Sequence, residues 1–250
     1  MEILKAIAPK RDNYFKCHFE NISLRNLKRA ELLWEHCIFI NVEFNSCSLT
    51  ELKAYHCTFL DCRFYQANLE NAEFKECNFY NKDKITGCNF ELANLKHIVF
   101  EKSNLSFSSF KRADLYDCKI QNCHARAADL SLATFNQRVS HKITLFSAEI
   151  SDSNFSDANI SFVNLSGCHL AGSNFSNVDF SSSNISAADL CHAILVNCDW
   201  QLADLTGVDL RFAVIQGLNL RQNDLTGAQI HVDQQHILLE EMGLIVLPLD

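Results

Sequence analysis

Twelve cysteines and ten histidines among 250 residues are the side chains best equipped for chemistry, because thiolates and imidazoles bind metals and act as nucleophiles or bases. Spacing decides whether they do so here. A metal site calls for paired ligands such as Cys-x-x-Cys, and no such pair occurs. His36 and His56 each precede a cysteine, Cys37 and Cys57, but neighbours in an extended chain point to opposite sides. Eleven of the twelve cysteines stand two residues before the centre of a five-residue repeat; Cys191 alone does not. That placement marks them as small inward-facing hydrophobes. Cys17, Cys37, Cys57 and Cys77 would stack on one another, yet parallel Cβ vectors at strand spacing make a disulfide awkward. No glycine-rich phosphate loop, Gly-x-Ser-x-Gly elbow or His-Glu-x-x-His pair is present. The expectation is a non-enzyme with no catalytic residue, no metal ligand and no cofactor.

Carboxylates are the other candidates. Counting twenty residues per turn, Asp129, Glu149, Asp189 and Asp209 fall in one outward column, interrupted by His169. Asp204 would stack on Asp224, and Asp179 on Asp199. Corners favour aspartate and a rod in water needs charge, which accounts for such columns without any function. The functional reading is a negative stripe along a rod that imitates a phosphate backbone.

These side chains are positioned by a repeat of five. From Phe19 to Phe79 and again from Phe90 to Ile230, every fifth residue is large and apolar in 38 of 42 slots. The exceptions are Arg29, Ala54, Ala125 and Ser140, and 14 of 19 phenylalanines occupy slots. The residue two before each centre is small, usually Ala, Cys, Ser or Val, and the one between is often Asn or Asp. Five fits neither a helix nor a long strand. A short extended piece points residues i−2 and i inward and i−1 outward, and the chain then turns a corner to build the next wall. Only seven glycines occur, so the corners are expected to use ordinary negative-φ turns. The triplets Cys17-His18-Phe19, Cys37-Ile38-Phe39, Cys57-Thr58-Phe59 and Cys77-Asn78-Phe79 repeat at twenty, which means four walls per coil. Phe135, Phe155 and Phe175 suggest a second ladder. The rod would hold about 10–11 coils and run roughly 50 Å at ~4.8 Å per coil.

Breaks in the repeat are where function belongs. Between Phe79 and Phe90 one residue is in excess, and the polar run Tyr80 to Gly87 should bulge as a loop carrying Asn81, Lys82, Asp83 and Lys84. Residues 136–146 keep register but would force Arg138 and Ser140 inward, so an excursion of about ten residues is expected, with Arg138, Ser140, His141 and Lys142 at its tip. After Ile230 the pattern predicts a helix with Asp233 as N-cap and Gly243 as C-cap, followed by an apolar tail. This segment would cap the open end and pair two copies. The organisation predicted is an N-terminal cap over 1–14, a coil over 15–231 and a terminal helix and tail over 232–250.

The net charge of −8 argues against direct nucleic-acid binding. Met1 to Phe15 shows no export signal and no window is apolar enough to span a membrane. With twelve cysteines, a reducing compartment follows, and the expected location is the cytoplasm.

Three segments are more specific than the repeat. They are Gly87-Cys88-Asn89-Phe90-Glu91-Leu92-Ala93-Asn94-Leu95-Lys96, Cys123-His124-Ala125-Arg126-Ala127-Ala128-Asp129-Leu130, and the end Leu238-Leu239-Glu240-Glu241-Met242-Gly243-Leu244-Ile245-Val246. In this order, with a small and then a larger loop, the chain resembles the Qnr family of pentapeptide-repeat proteins from about Phe64 to Val246. The resemblance implies an all-β, right-handed quadrilateral parallel β-helix with a short C-terminal helix. It implies a homodimer through Leu238, Leu239, Met242, Leu244 and Val246. It implies a type II topoisomerase as partner, chiefly DNA gyrase and with it topoisomerase IV, protected from quinolones by a partial DNA mimic whose two loops take part. A non-enzymatic adaptor solenoid with a different protein partner is the alternative reading. The N-terminal Cys-x-Phe ladder lies outside the resemblance and lengthens the rod by more than one coil.

Overall fold

The computed structural model describes residues 2–4, 11–141, 143–218, 223–241, 243–245 and 247. Of the residues named above, Lys142, Met242 and Val246 lie outside the described set, as do most of the first ten.

The chain winds as a parallel β-solenoid with four walls. Wall one carries the rungs Asn13, Leu33, Lys53, Glu73, Val99, Lys119, Glu149, His169, Asp189, Asp209 and Gln229, each paired in parallel with the next. Walls two, three and four follow in chain order at His18, Ser23 and Lys28, each with a ladder of its own. Asn13–Phe15 is already a full rung, so coiling starts within the segment expected to be a cap. Glu2–Leu4 pairs with Cys17–Glu20 and covers the first turn of wall two.

The alternation of large and small residues fills a narrow interior, giving one continuous core. Phe19, Phe39, Phe59 and Phe79 stack at 4.8 Å between successive centroids on wall two. Phe44, Phe64, Phe90 and Phe110 do the same on wall three at 4.7–5.0 Å. Ala54 is fully buried between the larger Trp34 and Phe74 on wall one. The thiols at the small positions donate to the coil beneath: Cys37 Sγ to the Tyr14 carbonyl at 3.3 Å, Cys57 to Trp34 at 3.4 Å, Cys77 to Ala54 at 3.2 Å. Where serine stands instead, Ser153 and Ser173 hydroxyls donate to Ile120 and Ile150 carbonyls at 3.2 and 3.1 Å. Burial pushes the Cys123 and Cys168 thiols up to about 11. The carboxamide or carboxylate between the small and large residues accepts the amide two residues on, as Asn89 does from Glu91 at 2.8 Å and Asp204 from Thr206 at 3.0 Å.

The corners differ from expectation. Thirty-three described non-glycine residues have positive φ, most of them at position i+2 of a repeat. A left-handed residue costs roughly 1–2 kcal/mol. In exchange its amide points along the axis and bonds the next coil: Lys16 N to the Glu35 carbonyl at 2.9 Å, Asn21 N to Ile40 at 3.0 Å, Ser182 N to Gln201 at 2.8 Å. Glycine is therefore not needed to turn the chain. Arg29, the charged slot, remains partly exposed in the first coil, pairs with Asp12 and donates to the Arg11 carbonyl at 3.1 Å.

Candidate functional site: two loops at opposite corners

Both breaks in the repeat project from corners. Phe79 stacks on Phe59 of wall two, and Phe90 on Phe64 of wall three. The first loop therefore lies between adjacent walls, and the Arg63 to Asn89 bridge spans 26 residues where a regular coil spans 20. The insertion is six residues rather than one. The second loop leaves wall four after Phe135 and enters wall one at Ile150, which lies on Ile120. Its insertion is ten residues. The corners between walls two and three and between walls four and one are diagonally opposite, so the loops point away from each other.

A carboxylate in the coil beneath grips the first loop. Asp61 Oδ2 accepts from Asn81 Nδ2 at 2.9 Å and Lys84 Nζ at 2.7 Å, and Oδ1 accepts from Thr86 Oγ1 at 2.8 Å. Burial opposes ionisation of Asp61, but these three donors outweigh it and hold its carboxyl below the usual range. Asn81 and Thr86 also exchange backbone hydrogen bonds at 2.8 and 3.2 Å, and Asn81 Oδ1 accepts from Asp83 N at 3.1 Å. Asn81 is thus buried and holds the loop together, whereas Lys82, Asp83 and Lys84 are exposed. Tyr80 stacks on Phe107 at 5.5 Å. Gly87 closes the loop where a Cβ would stand 2.3 Å from Ser108 N, so no other residue fits.

The second loop is an antiparallel hairpin, Asn136–Arg138 against Thr144–Phe146. The amides of Val139 and Ser140 both donate to the Ile143 carbonyl at 2.9 and 3.2 Å. At the tip Arg138 donates to the Ser140 carbonyl at 3.3 Å and meets His141 Nδ1 at 3.3 Å. Asp117 anchors the hairpin base, accepting from Ser147 Oγ at 2.7 Å and meeting His97 Nδ1 at 3.0 Å. The hydrogen bond from Ser147, opposed by burial and reinforced by His97, holds Asp117 below its usual range. Val139, Ile143 and Leu145 expose apolar side chains along the hairpin, and Ile85 does so in the first loop.

The acidic column is shorter than expected. Glu149, His169, Asp189 and Asp209 do share wall one. Asp129 does not: it pairs with Ser109 and Asn159 on wall three, the opposite wall. Ten inserted residues equal half a coil, so counting by twenty across them crosses the rod. Phe135 is removed from the Phe155–Phe175 pair for the same reason. The column is also partly neutralised. Lys119 lies 3.5 Å from Glu149, His169 lies 2.7 Å from Asp189, and Arg211 chelates Asp209 at 2.6 Å. The Arg211 hydrogen bond, against burial, takes Asp209 down to about 2. Asp189, Cys191 and Asp209 place ligand atoms within 4.8 Å of one another. Their own partners satisfy them, however, and burial with the two carboxylates pushes the Cys191 thiol up to about 12.

At the C-terminal end, His231 rather than Asp233 is the N-cap, opening a 3-10 turn over Val232–Gln234 that runs into α1, Gln235–Glu241. Gln234 seals the last coil. Its Nε2 donates to the Leu210 and Ala213 carbonyls at 2.9 and 2.8 Å, and its Oε1 accepts from Phe212 N at 3.1 Å and His231 N at 2.6 Å. Leu238 packs against the core, Leu239 is half-buried, and Leu244, Ile245 and Leu247 are exposed. No helix among the described residues is long and apolar enough to cross a membrane.

The family model for pentapeptide repeats matches in eight copies, over residues 43–81, 85–122, 153–190, 183–222 and 203–231. The chain belongs to the pentapeptide-repeat family. Among members of this family it is Qnr-like. It is 33% identical over 90 residues to the pentapeptide repeat protein QnrB4 of Escherichia coli and 31% identical over 90 residues to the quinolone resistance protein QnrB96 of Scandinavium goeteborgense. These matches cover 36% of this chain and 42% of each relative, so less than half of either curated protein is aligned. Solved structures extend the likeness. A trypsin-treated form of QnrB1, described as a plasmid-mediated fluoroquinolone resistance protein, superposes with a TM-score of 0.79 at 29% identity, covering 84% of this chain and 99% of that one. Full-length QnrB1 gives 0.65 at 28% identity.

Several structural parts of this pentapeptide-repeat protein escaped the sequence. Asp61, Asp117 and Gln234 act across coils, at separations that no local pattern flags. A signal did exist for two of them: Asp61 sits twenty residues before Asn81, and Gln234 is the Gln of a capping box.

Proposed function

We propose that this pentapeptide-repeat protein binds a type II topoisomerase, DNA gyrase, and protects it from quinolones. The observation that carries the reading is the superposition on QnrB1, a fluoroquinolone resistance protein, over nearly all of that chain. The loops supply the contacts. Each is preformed, each is anchored by an aspartate of the coil beneath, and together they expose Ile85, Val139, Ile143 and Leu145 beside Lys82, Lys84, Arg138 and His141. Apolar side chains amid basic ones suit a protein surface, not a phosphate backbone. The rod contributes shape and a partial charge likeness to DNA through Glu149, Asp189 and Asp209 on wall one and Asp179 and Asp199 on wall three. Two copies pair through the C-terminal segment, where Leu244, Ile245 and Leu247 expose apolar surface that a second copy covers.

The test is gyrase supercoiling in the presence of a quinolone, with and without the protein. Rescue at near-stoichiometric amounts is expected. No rescue at several-fold molar excess contradicts the reading.

A further inference from the structure

Ile85 is held in a conformation that its side chain opposes. Its φ is +56°, and it is the one β-branched residue among the described non-glycine residues with positive φ. The others are polar, charged, aromatic, alanine or leucine, and nearly all serve coil corners. For a branched side chain that backbone is a true outlier. Ile85 serves no coil corner, and 61% of it is exposed, so core packing does not repay the strain. Asparagine or glycine at this site would remove the strain and an exposed apolar group together.

The cause of the conformation lies in its neighbours. Lys84 and Thr86 are both fixed on Asp61, at 2.7 and 2.8 Å, and the Asn81 and Thr86 backbones bond each other. A residue pinned on both sides has no freedom to relax. The same clamp satisfies the Lys84 ammonium, so its charge is partly spent within the protein. What the loop offers a partner is a single branched aliphatic group, pre-positioned.

We infer that Ile85 is the contact residue of the first loop and inserts into an apolar pocket of the protein partner, with Asp61 as the residue that positions it. This rests on the topoisomerase reading above and names the chemistry by which that partner is recognised. Strain at an exposed apolar residue is accounted for when binding buries it, because the ordering is already complete before contact.

The experiment compares wild type, Ile85→Gly, Ile85→Ala and Asp61→Ala in gyrase protection and in thermal melting. Ile85→Gly relieves the backbone and is expected to melt at or above the wild-type temperature. It is nonetheless expected to need about tenfold or more protein for equal protection, the effect of removing a buried aliphatic side chain. Ile85→Ala keeps the strained backbone and is expected to lose protection to a similar degree. Asp61→Ala is expected to weaken protection and to speed tryptic cleavage after Lys82 and Lys84 in the free protein. If wild type protects while Ile85→Gly and Ile85→Ala protect equally well, the inference fails and the topoisomerase reading stands. If wild type itself does not protect, both fall.

Discussion

Asp61 and Gly87 carry more of the first loop than the exposed residues that drew attention to it. Removing the Asp61 carboxylate leaves the Asn81, Lys84 and Thr86 donors without their acceptor, and Asp61→Ala is expected to cost about 1–2 kcal/mol in urea denaturation. The same contact has a pH signature. The folded Asp61 pKa lies below its unfolded value, so the clamp contributes fully above about pH 4 and is lost as pH falls through the lower folded pKa. The Ile85 methyl resonances are expected to stay constant from pH 7 to pH 5 and to shift only at lower pH; a shift centred near pH 6 would assign the loop to another group. Gly87→Ala drives a Cβ into the Phe107–Ser108 backbone, where the Cβ would lie 2.3 Å from Ser108 N, and is expected to destabilise by at least about 1–3 kcal/mol. Residue-level reading from sequence succeeded where one side chain answers one local need, as with the inward phenylalanines and cysteines. It failed where a residue answers a neighbour one coil away.

At the scale of elements, walls were legible and corners were not. Periodicity reports which residues face inward, and the stacked Phe19, Phe39, Phe59 and Phe79 ladder stands where the twenty-residue repeat placed it. Periodicity is silent on how the chain turns, and glycine counting misled because most left-handed corners are stabilised by an amide bond to the next coil. Insertions mislead in another way. A ten-residue hairpin preserves the five-residue register while displacing the coil by half a turn, which is why Asp129 and Glu149 lie on opposite walls. The hairpin itself makes few contacts with the core. Excising the ten residues 136–145 and joining Phe135 to Phe146, which restores the five-residue step to Ile150, is expected to leave the melting temperature within a few degrees of wild type and, on the proposed function, to abolish gyrase protection. A large loss of stability would make the hairpin a structural part of the rod.

As a whole, the molecule is a rigid presenter. Its stability is a sum of coil-on-coil interfaces, and the core cysteines report on it. Cys17, Cys37, Cys57 and Cys77 are buried to within 2% of full burial. They are expected to resist a thiol reagent for hours in the native state and to react within minutes in denaturant. Cys191, on an outer column, is expected to react first, though slowly, with its thiol pushed up to about 12. Truncating Phe59, stacked on both sides, to alanine is expected to cost about 3–5 kcal/mol and to open Cys57 to the reagent.

Hydrogen exchange of the protein alone and bound to DNA gyrase tests the central claim most directly: that a prefolded rod engages its partner through two loops. Slowed exchange at residues 80–87 and 136–146, with the coils between them already protected before binding, is the expected pattern. Binding that leaves both loops unchanged would contradict it.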